Sequence, residues 1–274
     1  QRGLAPLHTL ASQISSRDQG NLEPLASQGV PAEVSVMVAE INALFCRLKA
    51  TLERFSRFTA NVSHELRTPI SGIITHAHLA LNSQQETARR KSLSNVIKGS
   101  KRLNHTLDQL LTLARIDPDQ LRDSFSQVDL RSTAIEVISE CSPAALKKNL
   151  ELELLGDGPS FIQGNEELTS ILLRNLIGNA INATPSGGHI SVSLDLTPQG
   201  PLLQVEDTGP GVPEAERNRI FERFYRLPES PAQGSGLGLS IVQTIVTIHA
   251  GSISLTPREQ GSGLRVSIQY PAQY

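Results

Sequence analysis

The chain contains 274 residues with a formal net charge of −2, and 38% of its residues are hydrophobic, which predicts two domains and a smaller additional segment. The near-neutral charge gives no support for nucleic-acid binding through bulk charge, and with no tryptophan the chain is poorly suited to base stacking. No signal peptide is expected at the start of the sequence, and no apolar run approaches the roughly 20 residues that cross a bilayer. The two cysteines, Cys46 and Cys141, lie far apart and lack the spacing of a metal site. A reduced cytosolic setting is therefore the simpler interpretation.

The first 57 residues show helical periodicity without enough apolar residues for a core of their own. Leucines and Ile14 recur every three or four residues from Leu4, and a polar connector, SSRDQGNLEPLASQGVP, follows. The next apolar residues alternate in steps of three and four: Val34, Met37, Ile41, Leu44, Leu48, Thr51, Phe55, Phe58 and Val62. This heptad seam predicts a partner helix and therefore a dimer. The alternative, a surface helix on a larger domain, is disfavoured by the length of the seam.

The following residues predict a helical hairpin. The seam continues to about residue 82 after a stutter of four residues, with Leu66, Ile70, Ile73, Ala77 and Leu81. A second helix contains Leu93, Val96 or Ile97, Ser100, Leu103, Leu107, Leu110 and Ala114, and it ends before Asp117 and Pro118. Two such hairpins would form a four-helix bundle.

One histidine of the first hairpin helix, in the stretch FTANVSHELRTPI, is placed to face solvent. His64 lies two residues from Val62 and from Leu66, about 200° from each around the helix. An ordinary surface histidine is one interpretation. The other is a nucleophile, since neutral imidazole is reactive near pH 7, Glu65 is positioned to hold one ring nitrogen, and Pro69 permits a bend.

From about residue 128 the pattern becomes mixed α/β. Helices are predicted over residues 132–147, 166–183 and 240–249, and Asn165 is a good N-cap for the second of them. Strands are predicted over residues 150–155, 190–196, 202–205, 252–255 and 264–268. Strands and helices do not alternate strictly, which favours an α+β sandwich over a doubly wound sheet.

Three short motifs in this part suit a nucleotide. In NLIGNA, Asn175 and Asn179 share a helix face and offer amide oxygens to Mg²⁺. In DTGPG, Asp207 follows an apolar run, and GSGLGLSIV opens a helix whose N-terminal amides can receive phosphate. The glycine spacing is not the Rossmann fingerprint, and the chain has no Walker A sequence. Each motif alone has an ordinary explanation, such as a polar helix face or a strand-to-turn junction, but their order and combination are specific.

These residues resemble those of the bacterial two-component sensor histidine kinases. SHELRTP is similar to the family's H-box, NLIGNA to its N-box, DTGPGVP to its G1 box, IFERFYR to its F-box and GSGLGL to its G2 box. The resemblance implies a HAMP-like signal relay over residues 1–57, a dimerisation and phosphotransfer hairpin over 58–122, and a catalytic ATP-binding domain over 123–274. That domain would share its fold with gyrase, heat-shock chaperones and mismatch-repair ATPases.

The same resemblance implies the setting of the chain. In this family the HAMP relay directly follows a transmembrane helix, so we expect the chain to be part of a longer protein at the cytoplasmic face of the bacterial inner membrane, soluble as this fragment. The implied partners are a second copy of the chain and the receiver domain of a response regulator. The implied ligands are ATP and Mg²⁺.

The resemblance also implies roles for individual residues. His64 would accept the γ-phosphoryl group of ATP, Glu65 would orient or deprotonate it, and Thr68 would place water for dephosphorylation of the regulator. The nucleotide residues would be Asn179 and Asn175 for Mg²⁺, Asp207 for the adenine amino group, Gly209 and Gly211 for close approach of the backbone, and Gly234, Gly236 and Gly238 flanking a lid.

The sequence departs from the family pattern at the end of the N-box. The family usually continues as NAxKYTP, but this chain has Asn182 and Ala183 at the cationic and aromatic positions, and no lysine follows Lys148. Arginine suits bidentate phosphate contact, so Arg223 and Arg226 are the best candidates, unless both are simply solvated. The departure leaves open a degenerate kinase that acts as a nucleotide-sensing dimeric scaffold. A stand-alone chaperone-like ATPase would not explain the hairpin.

Overall fold

The computed structural model describes residues 21–25, 32–115, 125–156, 160–227, 234–259 and 261–272. The predicted first helix, from Leu4 to Ile14, lies outside the described residues. The chain forms two compact units, residues 1–68 and 69–274, and each is described by itself. No helix among the described segments is both long and apolar enough to span a membrane.

In the first unit, the described part of the connector packs against helix α1 (Ala32–Asn82). Leu25 is buried against Val38, and partly buried apolar residues surround them: Val34, Ile41 and Phe45. The Asn42 side-chain amide forms two hydrogen bonds with the Leu25 backbone. It accepts from the Leu25 N–H at 2.6 Å and donates to the Leu25 carbonyl at 3.1 Å. The connector is thereby fixed in register on one face of the helix.

The connector covers only part of the predicted seam. Of the seam residues, Val34 and Ile41 contact the connector cluster, together with Val38 and Phe45, which the seam does not include. Met37, Leu44, Leu48 and Phe55 are exposed within one chain. The helix itself is continuous over 51 residues with Pro69 inside it, and it ends at Asn82 as predicted.

The second unit begins with the rest of α1 and with helix α2 (Glu86–Arg115), which confirms the predicted second hairpin helix. The two helices approach each other at Gly99. A methyl group there would lie 2.8 Å from Ile73 Cγ1, so glycine permits the contact. Gly99 therefore marks one point of close approach between the two hairpin helices.

The remaining elements confirm the mixed α/β prediction. Helices α3 (Leu130–Lys147), α4 (Glu166–Ala183) and α5 (Gly238–Ile248) alternate irregularly with strands β2 (Glu151–Leu155), β4 (His189–Thr197), β5 (Gly200–Asp207), β6 (Ser252–Pro257) and β7 (Leu264–Gln269). Asn165 caps α4 as predicted, because its side chain accepts from the Leu168 N–H at 3.0 Å. Helix α3 starts two residues earlier than expected, since Asp129 caps it by accepting from the Arg131 N–H.

Two strands were not predicted. Strands β1 (Ser126–Asp129) and β3 (Phe161–Gly164) form an antiparallel pair in which Val128 lies opposite Ile162. Both strands have only four residues, so neither shows enough alternation of apolar and polar residues to be recognised locally.

A five-stranded sheet in the order β2-β4-β5-β7-β6 supports the domain. Only β2 and β4 are parallel, and the other neighbours are antiparallel, which confirms an α+β sandwich. Alternate residues of β4 enter the core, so Ile190, Val192 and Leu194 are buried while Ser191 and Ser193 are partly exposed. Helices α3, α4 and α5 contribute to the same core, which fixes α4 and its polar residues above the sheet.

Candidate active site

His64 lies on the exposed surface of α1, as its position relative to the seam predicted. Thr68, one turn later, is also exposed, and its hydroxyl donates to the His64 carbonyl at 3.2 Å. Among the described residues there is no hydrogen bond between the Glu65 carboxylate and the His64 ring. Neighbouring residues of a helix point about 100° apart, so this contact requires a change of rotamer. The role of Glu65 stays a prediction.

Asn175 and Asn179 are brought against the glycine-rich segment. A methyl group at Gly238, the first residue of α5, would lie 3.1 Å from Asn175 Oδ1 and 3.3 Å from Asn179 Nδ2. The Asn175 amide nitrogen donates to the Ile171 carbonyl at 2.8 Å, which orients its oxygen. Gly238 therefore lies close to both asparagine side chains, which would have to shift slightly to make room for a larger residue.

Asp207 ends β5 and is 6% exposed. Burial raises the pKa of its carboxyl group, and hydrogen bonds from the backbone of Gly209 and Leu264 partly offset that effect. The Gly209 N–H donates to Asp207 Oδ1 at 2.7 Å. The carboxylate is thus held at a fixed place where it can accept a hydrogen bond from a ligand amino group.

The loop after Asp207 is packed against two other segments. A methyl group at Gly209 would lie 3.1 Å from the Ala183 carbonyl oxygen, and one at Gly211, whose φ is +77°, would lie 2.9 Å from the Gly263 carbonyl oxygen. Gly263 was not predicted as a site residue. A side chain there would overlap the Asp207 backbone carbonyl, so this glycine lets the residue before β7 pack against the end of β5.

Helix α4 joins these parts into one site. Asn175, Asn179 and Ala183 are spaced by four residues and share one helix face. The glycine-rich segment contacts the first two, and the loop after Asp207 contacts the third. The three predicted nucleotide motifs therefore meet along a single face of α4.

The IFERFYR segment is tied to the glycine-rich segment through the backbone. The Phe224 N–H donates to the Gly236 carbonyl at 2.9 Å, and Phe224 has a φ of +66°. Gly236 has a φ of +71°, and a methyl group there would lie 2.8 Å from Phe224 Cα. Gly234 also has a positive φ, of +132°, and is exposed. Of these two predicted glycines, Gly236 therefore contacts the IFERFYR segment, whereas Gly234 has open space around it.

The arginines of this segment lie in different surroundings. Arg223 is exposed and Arg226 is half-buried, and their predicted contact with phosphate stays a prediction. Arg219 instead lies 4.3 Å from the Tyr225 ring centroid and 3.3 Å from Glu216 Oε2. Glu216 also accepts a hydrogen bond from the Tyr225 hydroxyl, which raises the pKa of that tyrosine.

Two residues that sequence reasoning missed contact the asparagine-bearing helix. Gln109 of α2 donates from Nε2 to Asn175 Oδ1 at 3.1 Å and accepts from the Ser235 hydroxyl at 2.6 Å. Lys148 donates to the carbonyls of Ile181 and Asn182 at 2.8 and 3.0 Å, where a cation stabilises the helix C-terminus. Neither residue belongs to a motif, so no local signal marked them.

The residues present fit Mg²⁺ held together with a nucleotide. Magnesium prefers oxygen ligands and usually binds through one or two protein groups plus phosphates and water. The two asparagine amides supply such oxygens beside the glycine-rich segment. Within the described ranges there is no group of three or more His, Cys, Asp or Glu residues that could hold a metal ion.

Comparisons with known proteins agree with this arrangement. Residues 164–274 match the family of histidine kinase-, DNA gyrase B- and HSP90-like ATPases, and residues 56–119 match the His Kinase A phospho-acceptor domain. Residues 4–50 match the HAMP domain of PhoQ-like sensor proteins.

The sensor protein BasS of Salmonella typhimurium is 33% identical, over 95% of this chain and 72% of its own length. The chain belongs to the bacterial two-component sensor histidine kinases. Sensor protein kinase PmrB of Pseudomonas aeruginosa is 38% identical over 98% of this chain, and QseC of Escherichia coli is 37% identical over 95%. This chain spans 57% and 58% of those two relatives.

Two solved structures of histidine kinases are similar to much of this chain. The histidine kinase AdeS of Acinetobacter baumannii covers 77% of this chain and 98% of its own, with 25% identity and a TM-score of 0.60. ShkA, solved in complex with AMPPNP, covers 77% of this chain and 45% of its own, with 28% identity and a TM-score of 0.56.

Proposed function

We propose that the chain transfers the γ-phosphoryl group of ATP to His64 and then to an aspartate of a response regulator. The observation that supports this most strongly is the meeting of Asn175, Asn179 and the Asp207 loop along one face of α4. The exposed His64 in a phosphoacceptor-type helix supplies the acceptor.

In this proposal the protein mainly positions and stabilises charge, as phosphoryl transfer demands little covalent chemistry from the enzyme. Asp207 accepts a hydrogen bond from the adenine amino group, and the asparagine oxygens hold Mg²⁺, which neutralises phosphate charge when bound. A ring nitrogen of His64 uses its lone pair to form the new P–N bond as the bond from the γ-phosphorus to the bridging oxygen breaks, leaving ADP. Glu65 orients the ring or accepts its proton.

Thr68 gives the proposal a second activity, removal of phosphate from the regulator. It lies four residues after His64, so both side chains share a helix face. Replacing Thr68 with alanine should leave His64 labelling nearly intact and slow dephosphorylation of the regulator. Equal loss of both activities would instead point to damage of the helix before Pro69.

The proposal includes a homodimer and no nucleic-acid partner. Large apolar side chains that remain exposed within one chain supply the dimer surface: Leu44, Leu48, Phe55, Ile70, Leu93 and Ile97. The receiver domain of a response regulator is the second protein partner. By analogy with the relatives' names as sensor proteins, the full-length protein would act at the cytoplasmic face of the inner membrane.

The decisive experiment is incubation with γ-labelled ATP and Mg²⁺. We expect acid-labile, alkali-stable label on the wild-type chain, no label on His64→Gln, and unchanged nucleotide binding and dimerisation in that variant. Asn179→Ala should lose Mg²⁺-dependent nucleotide binding while the fold survives, because an exposed polar side chain contributes little packing. Label that persists in His64→Gln would refute the site.

A second candidate function is a nucleotide-sensing dimeric scaffold without phosphotransfer. Asn182 and Ala183, which replace the family's usual cation and aromatic ring, favour it, and both are exposed at the end of α4. The same assay separates the two functions. Nucleotide binding and dimerisation without any label on His64 would support the scaffold, whereas stoichiometric label on His64 would exclude it.

A further inference from the structure

We propose that Gln109 is a positioning residue that holds the nucleotide site against helix α2, and that binding of magnesium–nucleotide requires its release. This inference rests on the proposed function, because it concerns the site that would bind ATP. The inference is based on the Gln109 side chain of α2, which forms hydrogen bonds with Asn175 of α4 and with Ser235 in the segment before α5.

One face of α2 contacts the ATPase domain. Gln109 is 7% exposed and Thr106 is 4% exposed, while Leu110 and Leu113 pack against the main core of the domain. These four positions are spaced by one, three or four residues and therefore form one side of the helix. Because the apolar residues provide the bulk of the contact, Gln109 adds a directional polar link at its centre.

The Gln109 amide uses both of its ends. Nε2 donates to Asn175 Oδ1 at 3.1 Å, and the carbonyl oxygen accepts from the Ser235 hydroxyl at 2.6 Å. Ser235 Oγ in turn accepts from the Leu237 N–H at 3.2 Å, immediately before α5. One side chain therefore connects α2, α4 and the glycine-rich segment.

The bond to Asn175 competes with a cation. The Asn175 nitrogen is held by the Ile171 carbonyl, so its oxygen points to the N–H of Gln109. A divalent cation on that oxygen would face the positive end of the Gln109 dipole. Gly238 lies beside the same oxygen, and because a methyl group there would lie only 3.1 Å away, glycine leaves that side of the oxygen open to a cation. Cation binding through Asn175 therefore displaces the Gln109 amide.

This competition makes the site a two-state element. In one state Gln109 bonds to Asn175 and Ser235, and in the other the asparagine oxygen is available to Mg²⁺. For a ligand that binds only the second state, the apparent association constant is the intrinsic constant multiplied by the fraction of molecules in that state. Removing Gln109 should then increase that fraction.

The first test compares magnesium–nucleotide affinity of the whole chain, using a non-hydrolysable ATP analogue. Gln109→Ala should tighten binding roughly fivefold or more, because each lost hydrogen bond shifts the equilibrium by about two- to tenfold. The KM for ATP in His64 labelling should fall by the same factor without a fall in kcat. Gln109→Glu, which keeps the acceptor but loses the donor to Asn175, should tighten binding as well. Asn104→Ala removes an exposed amide from the same helix and should change nothing.

The second test needs no nucleotide. Tryptic cleavage at Arg122, between the hairpin and the ATPase domain, should be faster in Gln109→Ala than in the wild-type chain. Ser235→Ala should have a similar effect, and the double variant should add little, because both substitutions break the same link. Additive effects would mean that the two residues act independently.

The outcomes separate the two proposals. Unchanged or weaker nucleotide binding in Gln109→Ala, with unchanged cleavage at Arg122, would overturn the role of Gln109 while leaving His64 phosphorylation in place. A wild-type chain that binds no nucleotide would overturn the proposed function, and with it the competition with Mg²⁺. Faster cleavage in that case would still show that Gln109 holds the domain.

Discussion

The helical region and the ATPase domain bury their apolar residues in different ways. In the ATPase domain, three helices and a five-stranded sheet enclose a core in which residues such as Ile177 and Leu203 are fully buried. Helices α1 and α2 instead leave large apolar side chains exposed within one chain, among them Phe55, Ile74 and Ile97. The comparison indicates that the ATPase domain closes its core within one chain, with Leu110 and Leu113 of α2 packed against it, whereas the helical region leaves much of its apolar seam uncovered within one chain.

The largest expected effect is on the free energy of unfolding, when a residue in the buried core of the ATPase domain is replaced. Ile177→Ala should lower the free energy of unfolding by about 2–5 kcal/mol, because it removes a fully buried side chain and leaves a cavity. The exposed Ile135 of α3 is a matched control, and its replacement by alanine should change stability by less than about 0.5 kcal/mol. Urea denaturation of the whole chain measures both. Similar losses for the two variants would contradict the distinction between core and surface.

The next prediction concerns two arginines of the ATPase domain, the exposed Arg223 and the half-buried Arg226, that would serve a ligand. Arg223→Ala or Arg226→Ala should slow phosphotransfer by about a hundredfold, which corresponds to about 3 kcal/mol, and weaken nucleotide binding less. Labelling rates and analogue titrations measure the two quantities. Arg219, which already contacts Glu216 and Tyr225, is the control and should affect the transfer rate less. Wild-type rates in both variants would place the phosphates elsewhere.

The exposed apolar residues of α1 and α2 lead to a smaller expected effect, a change in the dimer dissociation constant. Ile97→Ala should raise the dimer dissociation constant about tenfold or more, since burial of an isoleucine side chain contributes roughly 1.5–3 kcal/mol. Lys98→Ala, at a neighbouring exposed position, should leave the dimer unchanged. Analytical ultracentrifugation over a range of concentrations measures the constants. If Ile97 has no more effect than Lys98, the dimer surface lies elsewhere on the helices.

The smallest expected effect is a dependence of the free energy of unfolding on pH, through a buried histidine of the ATPase domain. His249 is 3% exposed, its Nδ1–H donates to the Ile245 carbonyl, and its Nε2 accepts from the Asn165 N–H. Burial lowers the pKa of His249, and the bond to Ile245 only partly opposes this. The unfolded state therefore takes up the proton first, and stability should fall as pH decreases below about 6.5, by at most about 1.4 kcal/mol per pH unit.

His249→Gln provides the control for that slope. The variant should be less stable at pH 7 yet lose less stability between pH 7 and pH 5 than the wild-type chain. Asp207, whose pKa is raised by burial, contributes with the opposite sign, so the difference between the two proteins is the quantity to measure. Parallel pH profiles would show that His249 does not titrate on unfolding.

Local sequence features predicted most elements because the signals lie within each element. The Asn165 cap and the apolar periodicity placed helix α4 over residues 166–183, as the structure shows. Strands β1 and β3 escaped prediction because each has four residues and is stabilised by the other, 30 or more residues away along the chain. The exposed position of His64 followed from helix geometry alone.

The sequence by itself determined the order of the longer elements, the family and the residues of the phosphoacceptor and nucleotide motifs, because periodicity, caps and motifs are encoded over short stretches. Only the tertiary structure decided that Leu25 packs on Val38, that Gly263 closes beside Asp207, and that Gln109 bonds to Asn175 and Ser235. The last two bonds join residues separated by 66 and 126 positions. Such contacts depend on how separate elements pack against each other, and a single glutamine or glycine has no local pattern that reveals its partner.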